Sequence, residues 1–225
     1  MSVSEVPIEF IGRARAFRSA AVARHAEAVA ATDRLAMPLQ ARFRLRQAPG
    51  PGAYARVARA WPEQVPAAGR LDIAISATPA RLAIVEIRTA PGTFRFDGWG
   101  AAAIETVLVV GRMTLRASPG RFVFDPALVA AVPLRALARR YQRGFDNTDA
   151  AIRADLRALA MPAPEILDQG GEFTVPLADG CWVGEVAEIE QRGAMVRVLV
   201  VRTYLDATMR ARPGSAGAVL AEAAA

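Results

Sequence analysis

The sequence predicts an α+β protein: an N-terminal helix and mixed strands, then two helices that pack on a C-terminal antiparallel sheet. Three observations support this fold class. Short apolar stretches with strand character fill the middle of the chain and its end. Two segments with helical periodicity lie between them, near residues 132–160. Helical and strand segments are grouped rather than regularly alternating, which is typical of α+β proteins.

The first part of the chain is predicted to be helical. Residues 12–36 are rich in alanine and arginine and form a long helix that Pro38 closes. The segment ARFRLR at 41–46 alternates between apolar and basic residues, which indicates a strand with Arg42, Arg44 and Arg46 on one face. A short helix at 53–60 follows the chain break QAPGPGA.

Strands dominate the next part of the chain. The predicted strands are 71–77, 82–88, 93–97 and 104–116. The run ASPGR at 117–121 indicates a turn, so 111–124 is predicted to be a β-hairpin.

Two helices and three strands are predicted for the rest of the chain. The helices span about 132–143 and 148–160, and the second begins at Asn147 or Thr148 as its cap and stops before Pro162. The strands are 172–176, 181–190 and 193–204. A boundary near 118–130 would divide the chain into regions 1–120 and 121–225, although one continuous domain fits the pattern as well.

The composition excludes several kinds of chemistry. All 28 basic residues are arginine, and His25 and Cys181 are the only histidine and cysteine. A phosphate-binding loop of the GxxxxGK[ST] type and a lysine base are therefore impossible, and one chain cannot supply a Cys/His zinc site. We expect no cofactor. One cysteine and no visible signal peptide predict a reduced, cytoplasmic setting without a membrane partner.

The positive charge is concentrated in the first half of the chain. Residues 1–100 hold 14 arginines and 8 acidic residues, whereas residues 101–225 hold 14 of each. This asymmetry indicates an anionic partner. On a strand, Arg42, Arg44 and Arg46 would be spaced by roughly 6.5–7 Å, which suits the phosphates of an extended nucleic-acid strand. The alternative is a solvent-facing strand whose arginines pair with neighbouring acids.

The segment GRLDIAISATPARLAIVEIR at 69–88 places an aspartate on one strand and Glu-x-basic on the next. It resembles the core hairpin of the PD-(D/E)xK nuclease superfamily. The resemblance implies Mg²⁺ held by Asp72 and Glu86, with Arg88 in the position of the family's lysine. Arginine can bind phosphate but cannot act as a base. The alternative is a structural hairpin.

The C-terminal half contains a second pattern. Residues 135–143 read RALARRYQR, so Arg135, Arg139 and Arg143 share one helical face, and the last strand contains VVRTY. Two helices followed by such a sheet resemble the barnase/RelE-like ribonuclease fold of bacterial toxins, which cleaves RNA without a metal. The resemblance implies phosphate binding by Arg139, Arg143, Arg202 and Thr203.

The same resemblance assigns the remaining site positions. Arg135 takes the position where many relatives have histidine, and it is a poor proton shuttle. Tyr141 or Tyr204 would substitute for it in part. The alternative is an amphipathic helix whose arginines face water.

The favoured hypothesis is therefore a nucleic-acid-directed protein, namely a toxin-type, metal-independent ribonuclease or a catalytically weakened relative. Region 121–225 would carry the ribonuclease-like site, with RNA as a more plausible partner than DNA and a cognate inhibitor protein as a further partner. One alternative is a Mg²⁺-dependent nuclease of the PD-(D/E)xK type. The other is a non-catalytic module that binds nucleic acid or a protein.

Overall fold

The computed structural model describes residues 6–42, 56, 59–61, 70–78, 81–96, 103–118, 121–191 and 194–210. The helices are α1 (Ile8–Arg42), α2 (Leu134–Arg143), α3 (Asp149–Ala160), α4 (Ala163–Gln169) and α5 (Ala207–Arg210). The strands are β1 (Arg70–Thr78), β2 (Arg81–Phe96), β3 (Ala103–Ser118), β4 (Arg121–Pro133), β5 (Glu172–Pro176), β6 (Gly180–Gln191) and β7 (Ala194–Asp206).

The described strands form one seven-stranded sheet in the order β1-β2-β3-β4-β7-β6-β5. β5, β6 and β7 pair antiparallel, as the sequence predicts for the C-terminal sheet. β4 pairs with β7 in parallel, so the sheet is mixed. The α+β prediction is confirmed.

The helix α1 differs most from its prediction. It passes Pro38 and ends at Arg42, because residues that favour helix, mostly alanine, leucine and arginine, surround the proline. The predicted strand at 41–46 is therefore wrong at its first two residues. Arg44 and Arg46 lie outside the described residues, so the predicted strand face of Arg42, Arg44 and Arg46 loses its first member. None of the described helices is long and apolar enough to cross a membrane.

The predicted stretches 82–88 and 93–97 belong to a single strand, β2, which continues through Pro91 and Gly92. The φ angle of proline fits extended backbone, so Pro91 removes one hydrogen-bond donor without ending the strand. At Gly92, a Cβ atom would overlap the Val109 side chain of β3. Glycine therefore lets the two strands approach each other here.

The chain folds into two compact units whose segments are interleaved. The first unit comprises Met1–Ser19, Pro91–Val110 and Leu128–Ala225, and the second comprises Ala20–Ala90 and Gly111–Ala127. This division differs from a boundary near residue 120, because β2, β3 and β4 each contribute residues to both units.

The core of the first unit is built around β7. Val198, Leu199, Val200 and Val201 are all buried, although successive side chains of a strand point to opposite faces. A run of this kind is typical of a central strand that is covered on both faces. The helix α2 packs against β7 and contributes the buried Leu137.

A β-bulge interrupts the pairing of β6 with β7. Val183 pairs with Thr203 and Gly184 with Val201, so Arg202 is the extra residue on β7. Gly184 is required at this point because a Cβ atom there would lie 2.6 Å from the Phe173 ring. The ring of β5 thus packs directly against the backbone of β6.

We predict opposite effects for two glycine-to-alanine substitutions. Gly184→Ala forces its Cβ into the carbonyl oxygen of Val200 and the ring of Phe173, which should lower the free energy of unfolding by about 1–3 kcal/mol. Gly12 lies in α1, and no atom lies within 4 Å of the Cβ that Gly12→Ala would add. This substitution should raise the free energy of unfolding by up to about 1 kcal/mol. Urea unfolding followed by circular dichroism measures both, and a neutral Gly184→Ala would contradict the described packing.

Candidate nucleic-acid interface

Three arginines follow one face of α2. Arg135, Arg139 and Arg143 are four residues apart, so about 6 Å along the helix axis separates each from the next. Arg135 is exposed, whereas Arg139 and Arg143 are partly buried where α2 packs on β7. We call these three residues the arginine row. The prediction that these three residues share one face of a helix is confirmed.

Arg139 occupies the middle of the arginine row. Its Nη1 donates a hydrogen bond of 2.8 Å to the hydroxyl of Thr203, while its Nε is buried and has no hydrogen-bond partner among the described residues. Burial, and then the charges of Arg135 and Arg143, lower the pKa of the Arg139 guanidinium. An arginine nevertheless stays protonated at neutral pH, so the row is a local concentration of positive charge.

Arg143 lies at the C-terminal end of the row. Its Nη1 donates a hydrogen bond of 3.0 Å to the backbone carbonyl of Tyr204. Asp206 lies within electrostatic reach of Arg143. Burial raises the pKa of Asp206, but hydrogen bonds from Thr208 and Met209, and then the charge of Arg143, lower it by more. Within the described part of the chain, no carboxylate forms a salt bridge with a residue of the row.

Arg140, the neighbour of Arg139 in sequence, points into the protein. Its Nε contacts Asp155 Oδ2 at 2.5 Å, its Nη2 lies 3.4 Å from Asp179 Oδ2, and its Nη1 donates to the carbonyl of Asp146 at 3.1 Å. The guanidinium also lies over the ring of Tyr204, 5.1 Å from its centroid. Arg140 is thus neutralised and fully enclosed, unlike the arginines of the row.

Tyr204, a predicted site residue, is part of this enclosed group. It is fully buried, packs edge-on against Trp182 at 5.5 Å, and donates its hydroxyl proton to Asp179 at 2.8 Å. Burial and the hydrogen bond to Asp179 raise the pKa of Tyr204. The structure therefore does not place this hydroxyl where it could exchange a proton with a bound substrate.

Tyr141, the other tyrosine considered for proton transfer, is also enclosed. Only 1% of its surface is exposed, and its hydroxyl lies 3.0 Å from Asp149 Oδ1. Burial and the hydrogen bond to Asp149 raise its pKa. Arg13 covers the ring with its guanidinium, 4.8 Å from the centroid.

Arg202 differs from the arginines of the row because it forms salt bridges with carboxylates. At the β-bulge it forms salt bridges with Glu172 on β5, at 3.2 Å, and with Glu185 on β6. Its charge is therefore compensated. Of the predicted phosphate-binding residues, the structure brings Arg139, Arg143 and Thr203 together and leaves Arg202 in contact with acids.

The hairpin at 69–88 does not assemble the metal site that its resemblance implies. Asp72 pairs with Ile87 across the strands and Ile73 pairs with Glu86, so the two carboxylates lie on opposite faces of the sheet. The prediction that Asp72 and Glu86 converge on Mg²⁺ is wrong for this reason. Among the residues that the structure describes, no group of three His, Cys, Asp or Glu side chains could hold a metal ion.

Glu86 has a structural role instead. It is fully buried, accepts a hydrogen bond from Trp61 Nε1 and pairs with Arg88. His25 lies nearby. Burial and the charge of Arg88 lower its pKa, although a hydrogen bond with the backbone of Thr89 opposes this. Glu86 and Arg88 thus form a buried ion pair inside the second unit.

Sequence reasoning missed one surface feature. Phe145, two residues after the end of the arginine row, is 86% exposed. The available signal was a single aromatic residue in the otherwise polar segment GFDNTD at 144–149. The backbone amide of Phe145 donates a hydrogen bond of 2.9 Å to Asp179 Oδ2, so the position of this residue depends on the group around Arg140.

We predict that Arg140→Met lowers the free energy of unfolding by about 3–5 kcal/mol near neutral pH, because it leaves the buried carboxylate of Asp155 without its salt-bridge partner. Burial already raises the pKa of Asp155, and Arg140 opposes that rise. Because the pKa of Asp155 is higher in the folded than in the unfolded state, its protonated carboxyl stabilises the fold at low pH. This stability is fully present below the unfolded-state pKa and is lost as the pH rises through the folded-state pKa. The variant should therefore lose less stability at about pH 4.5 than at about pH 7, in urea unfolding.

Arg202→Met is the matched control, because the Arg202 side chain is 39% exposed and its salt bridges lie at the surface. It should cost less than about 1 kcal/mol and show little dependence on pH. Equal losses in the two variants would contradict the structural role assigned to Arg140.

Comparison with known proteins gives no relative from which a role could be transferred. No family model matches the chain, and neither a curated protein nor a solved structure matches it. The candidate interface therefore stands on the geometry of its residues alone.

Proposed function

We propose that this protein binds nucleic acid through the phosphate backbone, and that the arginine row of α2 is the contact surface. On this proposal the chain is a weakened relative of a metal-independent ribonuclease, which binds RNA or DNA without cleaving it. The observation that carries the proposal is the absence of a salt-bridge partner for Arg135, Arg139 and Arg143 within the described residues.

The electrostatic argument rests on the crowding of like charges. Burial, and then the charges of Arg135 and Arg143, lower the pKa of Arg139, so the positive charge of Arg139 is disfavoured by its neighbours. A phosphate placed between two guanidinium groups would remove this repulsion and accept charge-assisted hydrogen bonds.

The spacing supports a polymeric ligand over a single phosphate. The three arginines follow one another at intervals of about 6 Å along the helix axis and span about 12 Å of it. This interval is comparable with the distance between consecutive phosphates of an extended strand. A chain of phosphates would also release condensed counterions on binding, which adds a favourable entropy that a single phosphate lacks.

Binding without cleavage is favoured because the row lacks a proton donor and acceptor. General acid–base catalysis requires a group that changes its protonation state near the operating pH. Arg135 cannot do so, and the hydroxyls of Tyr141 and Tyr204 are enclosed with raised pKa values. The three positions that could have carried proton transfer are therefore unsuited to it.

We predict that replacing Arg135, Arg139 and Arg143 together by glutamine weakens the binding of a labelled oligonucleotide and makes it less sensitive to salt. Fluorescence anisotropy at several salt concentrations measures the affinity. Loss of three phosphate contacts should reduce the slope of log K against log salt by about 2 for a single strand. The same titrations with RNA and with DNA test which of the two the protein prefers.

The control is a second triple variant with the same change in net charge: Arg116, Arg197 and Arg202 to glutamine. Arg116 is paired with Asp125, Arg197 lies opposite Glu188 on β6, and Arg202 contacts two glutamates. This variant should keep most of the affinity and the salt slope. Equal losses in the two variants would show that only net charge matters and would contradict the assigned surface.

Incubation of labelled RNA with the protein in EDTA separates binding from catalysis. Intact RNA under conditions of saturated binding supports the proposal. RNA cleavage that persists in EDTA and disappears in the Arg139→Gln variant would instead establish the metal-independent ribonuclease.

A further inference from the structure

Phe145 is the most exposed large apolar residue among the described parts of the chain. Its exposed fraction is 86%, compared with 84% for Ile8, 63% for Met195 and 57% for Met161. The other described phenylalanine of the first unit's C-terminal half, Phe173, is buried. An aromatic ring in water forgoes the favourable burial of its surface, so its position calls for an explanation.

The backbone on both sides of this ring is fixed by hydrogen bonds. The amide of Phe145 donates to Asp179 Oδ2 at 2.9 Å, and the carbonyl of Asp146 accepts from Arg140 Nη1 at 3.1 Å. Asp179 and Arg140 are themselves in contact, 3.4 Å apart. The ring is therefore presented to solvent by a fixed loop and not by a loose one.

A third hydrogen bond holds the loop from the side of α1. Arg13 Nη2 donates to the carbonyl of Asn147 at 2.5 Å, and its guanidinium also covers the ring of Tyr141. A preorganised loop loses little conformational entropy when a ligand binds to it. This property is expected of a binding residue and is not needed for a residue that merely lies on the surface.

The ring is close to the arginine row along the chain. Two peptide units separate the Cα of Phe145 from that of Arg143, so the two atoms are at most about 7 Å apart. Only Gly144 lies between them. An anion that contacts Arg143 can thus carry an attached planar group within reach of the phenylalanine.

We propose that Phe145 stacks against a base of a single-stranded nucleic acid whose phosphates lie along the arginine row. This inference rests on the proposed function, and it adds a preference for unpaired strands. The basis is chemical complementarity: arginines match phosphates, while an exposed aromatic face matches a nucleobase. In a duplex the base faces are already stacked on their neighbours, so the ring gains nothing there.

The experiment measures the affinity of the wild type and of the Phe145→Ala variant for three ligands. These are a single-stranded oligonucleotide, its duplex, and inorganic polyphosphate, which has charge but no bases. Phe145→Ala should weaken single-strand binding roughly 5- to 100-fold, which is the usual effect of removing one base–aromatic stack. Affinity for polyphosphate and the slope of affinity with salt should stay unchanged, because the arginines are intact.

Phe145→Trp provides a matched variant that should retain the stack. Its affinity for the single strand should equal or exceed that of the wild type, and single-strand binding should quench the new indole fluorescence while polyphosphate should not. Because residue 145 is exposed, we expect both variants to keep the wild-type fold, and circular dichroism checks this directly.

The outcomes separate this inference from the proposed function. If all three ligands bind and Phe145→Ala leaves the single-strand affinity unchanged, the stacking role is wrong while phosphate binding stands. A parallel loss for polyphosphate would also overturn it, because the effect would not depend on bases. If the wild type binds none of the three ligands, the proposed function itself fails.

Discussion

The enclosed guanidinium of Arg140 is the interaction on which the rest of the first unit depends. An arginine cannot lose its proton, so its burial requires carboxylates and carbonyls to surround it. Asp155 comes from α3, Asp179 from the segment between β5 and β6, and Tyr204 from β7. One side chain of α2 thereby joins three other elements, and the same group positions the loop that carries Phe145.

The arginines of α2 divide into two roles according to their partners. Arg140 is compensated by buried acids, whereas the arginine row is not paired with any described carboxylate. Two adjacent residues of a helix point about 100° apart, so Arg139 and Arg140 can have opposite environments. Compensated charge stabilises the fold, while uncompensated charge at a surface is available for an anion. The proposed phosphate contact follows from this difference and not from the number of arginines.

The second unit shows how register decides which residues can act together. Asp72 and Glu86 fit the spacing of a known motif, yet they lie on opposite faces of the sheet, because Glu86 pairs with Ile73 and not with Asp72. A shift of one residue would have reversed this result. Glu86 is instead used by Trp61 and Arg88 inside the unit. A short motif can therefore match a family's spacing without forming its site.

The sequence by itself determined the local structure wherever periodicity and caps are strong. It predicted α3 with Asn147 or Thr148 as its cap, the strands β5 to β7 and the shared face of Arg135, Arg139 and Arg143, because these features depend on neighbouring residues. Only the tertiary structure decided the parallel pairing of β4 with β7, the burial of Tyr204 and the separation of Arg202 from the arginine row. These outcomes depend on contacts between residues far apart in the chain, about which local patterns carry no information.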